Sequence, residues 1–160
     1  MVIEDPAIVG TMASPLFSDS TYTVSGLVED IDKGLIALPD IQRPFVWSAT
    51  KARNLLDSMY RGFPVGTLLF WRTGAELGAK RIGDASTQAS PNLLIVDGQQ
   101  RLTCLYAVFT GTKVLDKDFK QMAIKLAFKP STQEFAVTDA TTERDPEWLP
   151  DITELWRPNN

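Results

Sequence analysis

The stretch Leu93-Leu94-Ile95-Val96-Asp97-Gly98-Gln99-Gln100-Arg101-Leu102-Thr103 decides how this chain reads. Four consecutive apolar residues, two of them β-branched, predict a buried strand. They stop at Asp97-Gly98, a pair suited to a sharp turn because glycine takes a positive φ without steric cost. Beyond the turn, Leu102, Leu105, Tyr106 and Phe109 fall at i, i+3, i+4 and i+7, the spacing of an amphipathic helix. The motif is therefore strand, tight turn, helix, with three long polar side chains at the helix entrance. A helix N-terminus presents free backbone N–H groups and a partial positive charge, which suits phosphate or another anion. Arg101 adds a planar, permanently charged fork. Spacing alone leaves a second reading open: a polar turn in which Asp97 caps the helix and Arg101 makes a surface ion pair.

Working outward, 160 residues fall in the single-domain range and suffice for a sizeable core. An apolar fraction of 44% and a charged fraction of 22% are those of an ordinary globular chain. No apolar run approaches the roughly 20 residues of a membrane-spanning helix. The N-terminus lacks a basic start followed by a long apolar block, so no secretory signal is expected. The single cysteine, Cys104, cannot form an internal disulfide, which fits a cytoplasmic location. Its place in the helical pattern makes it a core residue rather than a nucleophile. A net charge of −4 argues against an unaided, non-specific nucleic-acid binder, because that affinity comes from neutralising phosphates.

The most restrictive compositional fact is that the chain has no histidine. This removes Ser-His and Cys-His triads, histidine general bases and histidine-ligated zinc. Chemistry must run on Asp, Glu, Lys, Arg and a bound metal.

In chain order, residues 1–19 show no sustained periodicity and are expected to be a flexible leader, with a single domain over 20–160. Val24, Leu27, Val28 and Ile31 mark a short helix opened by Ser25 and stopped by Gly34. Leu35 to Leu38 predict a strand ended by Pro39. The irregular segment Ile41-Gln42-Arg43-Pro44-Phe45-Val46-Trp47 follows, in which Pro44 pushes Arg43 towards extended geometry and so aims its side chain. Ser48 is a good N-cap. Lys51, where a capping box would place an acid, either points away from the helix dipole or meets an external anion. Ala52, Leu55, Leu56, Met59 and Tyr60 form a helical stripe closed by Gly62 and Pro64. Residues 66–71 predict a buried strand, and 72–92 a polar surface excursion. After Gly111 ends the central helix, Met122, Ile124, Leu126 and Phe128 alternate as a half-buried strand. A hairpin loop at 129–133 returns through Phe135 and Val137. Trp148 and Trp156 open a further apolar element where the sequence stops, so the chain is expected to be a piece of a longer protein.

The two motifs Ile41-Gln42-Arg43-Pro44-Phe45-Val46-Trp47 and Ile95-Val96-Asp97-Gly98-Gln99-Gln100-Arg101-Leu102-Thr103 resemble the N-terminal domain of GmrSD-type (type IV) restriction endonucleases, related to the ParB/sulfiredoxin superfamily. Ser58-Met59-Tyr60-Arg61-Gly62-Phe63-Pro64-Val65-Gly66 between them resembles the family as well, and the likeness runs over roughly residues 20–156. It implies an α+β fold, a small mixed sheet with flanking helices, in which the Asp-Gly-Gln-Gln-Arg turn holds nucleotide phosphates. It further implies NTP binding or hydrolysis controlling cleavage of modified phage DNA.

Carried over by position, Asp97, Gly98, Gln99, Gln100 and Arg101 are the nucleotide motif. Gln42 and Arg43 face the same cleft, with Trp47 as a structural or stacking partner and Lys51 as a further nucleotide contact. Asp97 would hold Mg²⁺ or the attacking water, Arg101 and Arg43 the phosphate charge, and Gln99 and Gln100 would orient phosphate or water. With one carboxylate in the motif, Mg²⁺ would lean on phosphate and water ligands; Asp40 is a candidate second carboxylate. In many relatives the nuclease is a separate histidine-containing HNH module, which a chain without histidine cannot contain. DNA would then be reached only with an additional nuclease module or partner chain. A non-catalytic phosphate or DNA-backbone binding module is the alternative, a purely structural fragment a third, and a homo-oligomer is allowed.

Overall fold

A computed structural model describes residues 17–39, 44–72, 79–80 and 92–156. Gln42, Arg43 and Asp40 lie outside the described residues, as does most of the expected leader. The fold is α+β: helices pack around a small mixed sheet and two hairpins.

Helix α1 spans Val24–Asp32. It opens one residue earlier than the sequence suggests, because Thr23 rather than a later serine is the cap and its Oγ1 accepts the Gly26 N–H at 3.1 Å. Leu27 and Ile31, one turn apart, point into the core. Strand β1 follows at Ile36–Pro39. Helix α2 spans Ala49–Tyr60, with Ser48 as the expected N-cap accepting the Lys51 N–H at 3.2 Å. Strands β2 (Leu69–Arg72), β3 (Ala79–Lys80) and β4 (Leu93–Asp97) complete the main sheet.

The order is β2-β4-β1-β3. Strands β1 and β4 run parallel at the centre, Ile36 facing Leu93 and Ala37 facing Leu94. Antiparallel β2 and β3 form the edges. Two expectations change here. The run through Trp71 is not a buried strand: β2 lies at the edge, with Leu69 47% and Trp71 59% exposed. The polar excursion is interrupted by β3, whose backbone pairs with β1, Leu38 opposite Lys80.

Helix α3, Gln99–Thr110, leaves β4 after a single turn residue and runs through the middle of the molecule. Its apolar spacing predicts one buried stripe, yet Leu102 and every residue from Cys104 to Phe109 is buried. A helix that is apolar on all sides must be covered on all sides, and two clusters do so. Leu102 and Tyr106 join Ile36 and Ile95 of the sheet and Leu27 and Ile31 of α1. Cys104, Leu105, Val108 and Phe109 join Phe45, the α2 face of Ala52, Leu55 and Leu56, and the C-terminal segments through Leu126 and Ile152. Tyr106 Oη donates to Asp32 Oδ1 at 2.7 Å, tying α3 to the end of α1.

The C-terminal third holds two hairpins. Strands β5 (Val114–Leu115) and β6 (Gln121–Met122) pair antiparallel, so Met122 does not belong to the long strand expected from the 122–128 alternation. That strand is shorter, β7 at Leu126–Lys129, pairing with β8 at Glu134–Val137 in register Phe128 to Phe135. The turn between them falls where the sequence puts it, and Gln133 takes the positive φ of 58°. A short helix α4, Ala140–Arg144, was not apparent from periodicity; Asp139 and Thr142 close it with a reciprocal capping box. A 3₁₀ turn at Ile152–Leu155 then packs Ile152 and Thr153 against α3. Trp156 meets the Phe109 ring edge-on at 4.3 Å.

Candidate functional site at the entrance to α3

Strand β4 delivers Val96 and Asp97 to the surface, and Gly98 then reverses the chain into α3. Gly98 is the N-cap, with φ 87° and ψ 14°, and no side chain caps the helix. The position demands glycine twice over. Its backbone lies in the left-handed region, and a Cβ there would stand 2.4 Å from Leu68 Cδ2 and 3.1 Å from Arg101 Nη2. The first helical hydrogen bond runs from Leu102 N–H to Gly98 O at 3.0 Å. The amides of Gln99, Gln100 and Arg101 therefore stand at the open end of the helix, where the dipole is positive. Asp97 does not cap them; its carboxylate is 76% exposed and 3.6 Å from Arg101 Nη2.

The motif's side chains reach far along the chain. Gln100 accepts the Val46 N–H on Oε1 at 2.9 Å and donates from Nε2 to Pro44 O at 3.1 Å. Its amide thus acts as a strand neighbour for residues 44–46. Arg101 donates from Nη1 to Val65 O at 2.6 Å and from Nη2 to Thr67 O at 2.8 Å. Its guanidinium straddles Gly66, whose φ is 84° and whose missing Cβ would lie 2.4 Å from Nη1. Only 19% of the Arg101 side chain is exposed. Two loops, 44–46 and 65–67, are thereby fastened to the first turn of α3.

The first clamp also brings in α2. Its cap, Ser48, lies two residues beyond Val46, so the chain holds that cap within roughly 10 Å of the Gln100 amide. Lys51, in the first turn of α2, is exposed, and its Nζ lies 4.5 Å above the Trp47 ring. That contact offsets its unfavourable place in the α2 dipole. Trp47 itself is half-buried and packs on the larger core cluster.

Of the residues marked in the sequence, Asp97, Gly98, Gln99, Gln100 and Arg101 form one turn, and Trp47 and Lys51 follow the 44–46 segment that Gln100 fastens to it. Gln42 and Arg43 directly precede the clamped segment but lie outside the described residues. Sequence reasoning missed the partners of the clamps, the backbones of Pro44, Val46, Val65 and Thr67; Gly66, alone between two longer elements, was the one local sign. No cluster of three or more His, Cys, Asp or Glu side chains that could hold a metal occurs among the described residues. Asp97 could contribute one ligand to a metal carried by a phosphate compound, which is the number Mg²⁺ commonly takes from protein. Cys104 is inert: burial pushes its thiol up to about 12. Among the described residues no helix is long and apolar enough to cross a membrane.

The chain matches the family described as GmrSD restriction endonuclease, N-terminal domain, over residues 24–158. It is also 34% identical, over 116 residues, to an uncharacterised protein of the archaeon Methanocaldococcus jannaschii. That alignment covers 66% of this chain and 20% of the archaeal protein, so the matched region spans about a fifth of its relative's length. The family match takes in the α3 entrance, both clamps and the whole sheet, and by it this chain belongs to the N-terminal domains of GmrSD restriction endonucleases.

Proposed function

We propose that the α3 entrance binds the phosphates of a nucleoside triphosphate and that Asp97 supports their hydrolysis, the domain serving as the regulatory module of a restriction system. The observation that carries this reading is the uncapped N-terminus of α3. It is opened by a glycine that keeps side chains out of the way and faced by the exposed Asp97 carboxylate. Backbone amides and the helix dipole then take the place of phosphate-binding side chains. The start of α2 follows directly on the 44–46 segment that Gln100 holds, so its positive end and the Lys51 ammonium would add positive potential. Magnesium suits this arrangement only if it arrives with the nucleotide, held by Asp97, phosphate oxygens and water. Bound there, it would neutralise phosphate charge as that charge redistributes. Asp97 would orient either the ion's water shell or the attacking water. Gln100 and Arg101 keep the two loops fixed so that the amides stay aimed. The domain would act on DNA through another module, since no histidine is available for HNH chemistry.

One observation favours a second reading, a phosphate-binding module without turnover. The Gln100 amide and two guanidinium nitrogens of Arg101 are occupied by backbone carbonyls and an amide, which leaves fewer groups to stabilise a transition state. Calorimetric titration with ATP, GTP, CTP and UTP, with and without Mg²⁺, combined with a phosphate-release assay, separates the two. Saturable Mg²⁺-dependent binding with release abolished in Asp97→Ala supports the first. Binding without release supports the second, and no binding of any nucleotide by the folded chain overturns both.

A further inference from the structure

A cleft of about 960 Å³ opens beside the first turn of α3, large enough for a small organic ligand. Its floor is apolar, made by Leu27 of α1, Leu55 and Met59 of α2 and Leu105 of α3. The 65–72 run, ending in β2, forms one wall, and residues 17–22, ahead of α1, form the other. Four aromatic residues line it, Phe17 and Tyr22 from the 17–22 segment and Phe70 and Trp71 from β2; Tyr22 is 41% exposed and Trp71 59%. Ser18, Asp19, Ser20 and Thr21 supply short polar groups on one side. Arg101 and Gly66 line the cleft as well, and both belong to the clamp at the α3 entrance. The Arg101 guanidinium therefore borders the cleft and Asp97 at once, standing 3.6 Å from that carboxylate.

An apolar floor, aromatic rings at the walls, small hydrogen-bonding side chains on one flank and a cation at one end fit a flat heteroaromatic ring that carries an anionic tail. We propose that this cleft receives the base and sugar of the nucleotide whose phosphates lie at the α3 entrance. The inference rests on the phosphate reading given above and adds to it the place where the nucleoside is read. Tyr22 and Trp71 supply faces for the base, and the hydroxyls and carboxylate of residues 18–21 supply partners for its edge.

The test compares Mg²⁺-tripolyphosphate, which has no base, with each of the four common nucleoside triphosphates, all titrated onto the full chain. At least one nucleotide is expected to bind roughly ten-fold or more tighter than tripolyphosphate, the scale of a base stacked on aromatic rings. Replacing both rings, Tyr22→Ala with Trp71→Ala, should bring that nucleotide to the affinity of tripolyphosphate and leave tripolyphosphate itself unchanged, which also reports a folded variant. Val24→Trp, filling the cleft from α1, should do the same by a different route. Equal affinities in the unaltered chain, or a preference that survives both variants, overturn the cleft assignment while the phosphate reading stands. Failure of tripolyphosphate and every nucleotide to bind overturns both.

Discussion

The side-chain amide of Gln100 pairs with the backbone of Val46 as a neighbouring strand would, Oε1 accepting its N–H at 2.9 Å while Nε2 reaches Pro44 O. With Arg101 it makes the Asp-Gly-Gln-Gln-Arg motif fasten two loops that lie 34 to 56 residues before it in the chain. The motif's own backbone is left facing outward.

Replacing Gln100 tests this fastening. Gln100→Ala removes two partly exposed hydrogen bonds and should cost about 1 kcal/mol, the low end for such a pair. Hydrogen exchange at the Val46 amide should quicken, whereas Gln100→Glu keeps the acceptor and should protect that amide better than alanine does. Unchanged Val46 exchange in Gln100→Ala would show that the clamp does not hold in solution.

The contact between Gly66 and Arg101 is open to a double-mutant cycle. Gly66→Ala adds a Cβ in the left-handed region and against Nη1, at 2.4 Å. The backbone part should cost about 1–2 kcal/mol, and displacement of the guanidinium from Val65 O and Thr67 O adds to it. In the Arg101→Ala background the second part should vanish, so the two changes combine to less than their sum. Strict additivity in denaturant unfolding would contradict the arrangement.

Alkaline pH should weaken the fold through α3. Burial pushes the Cys104 thiol from 9.0 to about 12. It also raises Tyr106 from 10.0 to about 12, with the Asp32 hydrogen bond adding to the effect. Both are acids that the folded chain keeps neutral, so above pH 9 the unfolded chain releases protons that the folded chain retains. Their stabilising contribution is whole below pH 9 and is lost as pH rises towards 12. Urea unfolding between pH 8 and 11 should show this slope, flattened in Cys104→Ala and Tyr106→Phe. A slope unchanged in both would assign it elsewhere.

Thr153 serves the other end of the same helix. The residue is 2% exposed, and its hydroxyl donates to Val108 O at 2.7 Å, a last-turn carbonyl with no helical partner of its own. Thr153→Val keeps the shape and leaves that carbonyl unpaired, which should cost about 1–3 kcal/mol. Thr153→Ser should retain most of the stability. Equal melting temperatures for Thr153→Val and the unaltered chain would refute the role.

What could be read from sequence followed local chemistry. Ser48 as a cap, the turn at Gly98, the ends of the helices at Gly62 and Gly111, and the hairpin between Phe128 and Phe135 each depend on neighbours within a few residues. The burial of β2 could not be read, because Leu68 to Trp71 looks the same on an edge as in a sheet centre; only the order β2-β4-β1-β3 decides it. Cys104 was legible as core from its place in the helix, but Ala107 and Val108 carried no periodic signal, yet they are buried because a second cluster covers their side of α3. The site was legible as a turn and a charge. The occupation of Arg101 by Val65 and Thr67 was not, since a lone glycine at 66 does not say which side chain it admits.

The central claim is that backbone amides at the start of α3 hold phosphate. Amide chemical shifts during titration of the ¹⁵N-labelled chain with a Mg²⁺–nucleoside triphosphate test it most directly. The account expects saturable shifts largest at Gln99, Gln100 and Arg101, with smaller ones at the start of α2. Saturable binding that leaves those three amides unmoved would contradict it.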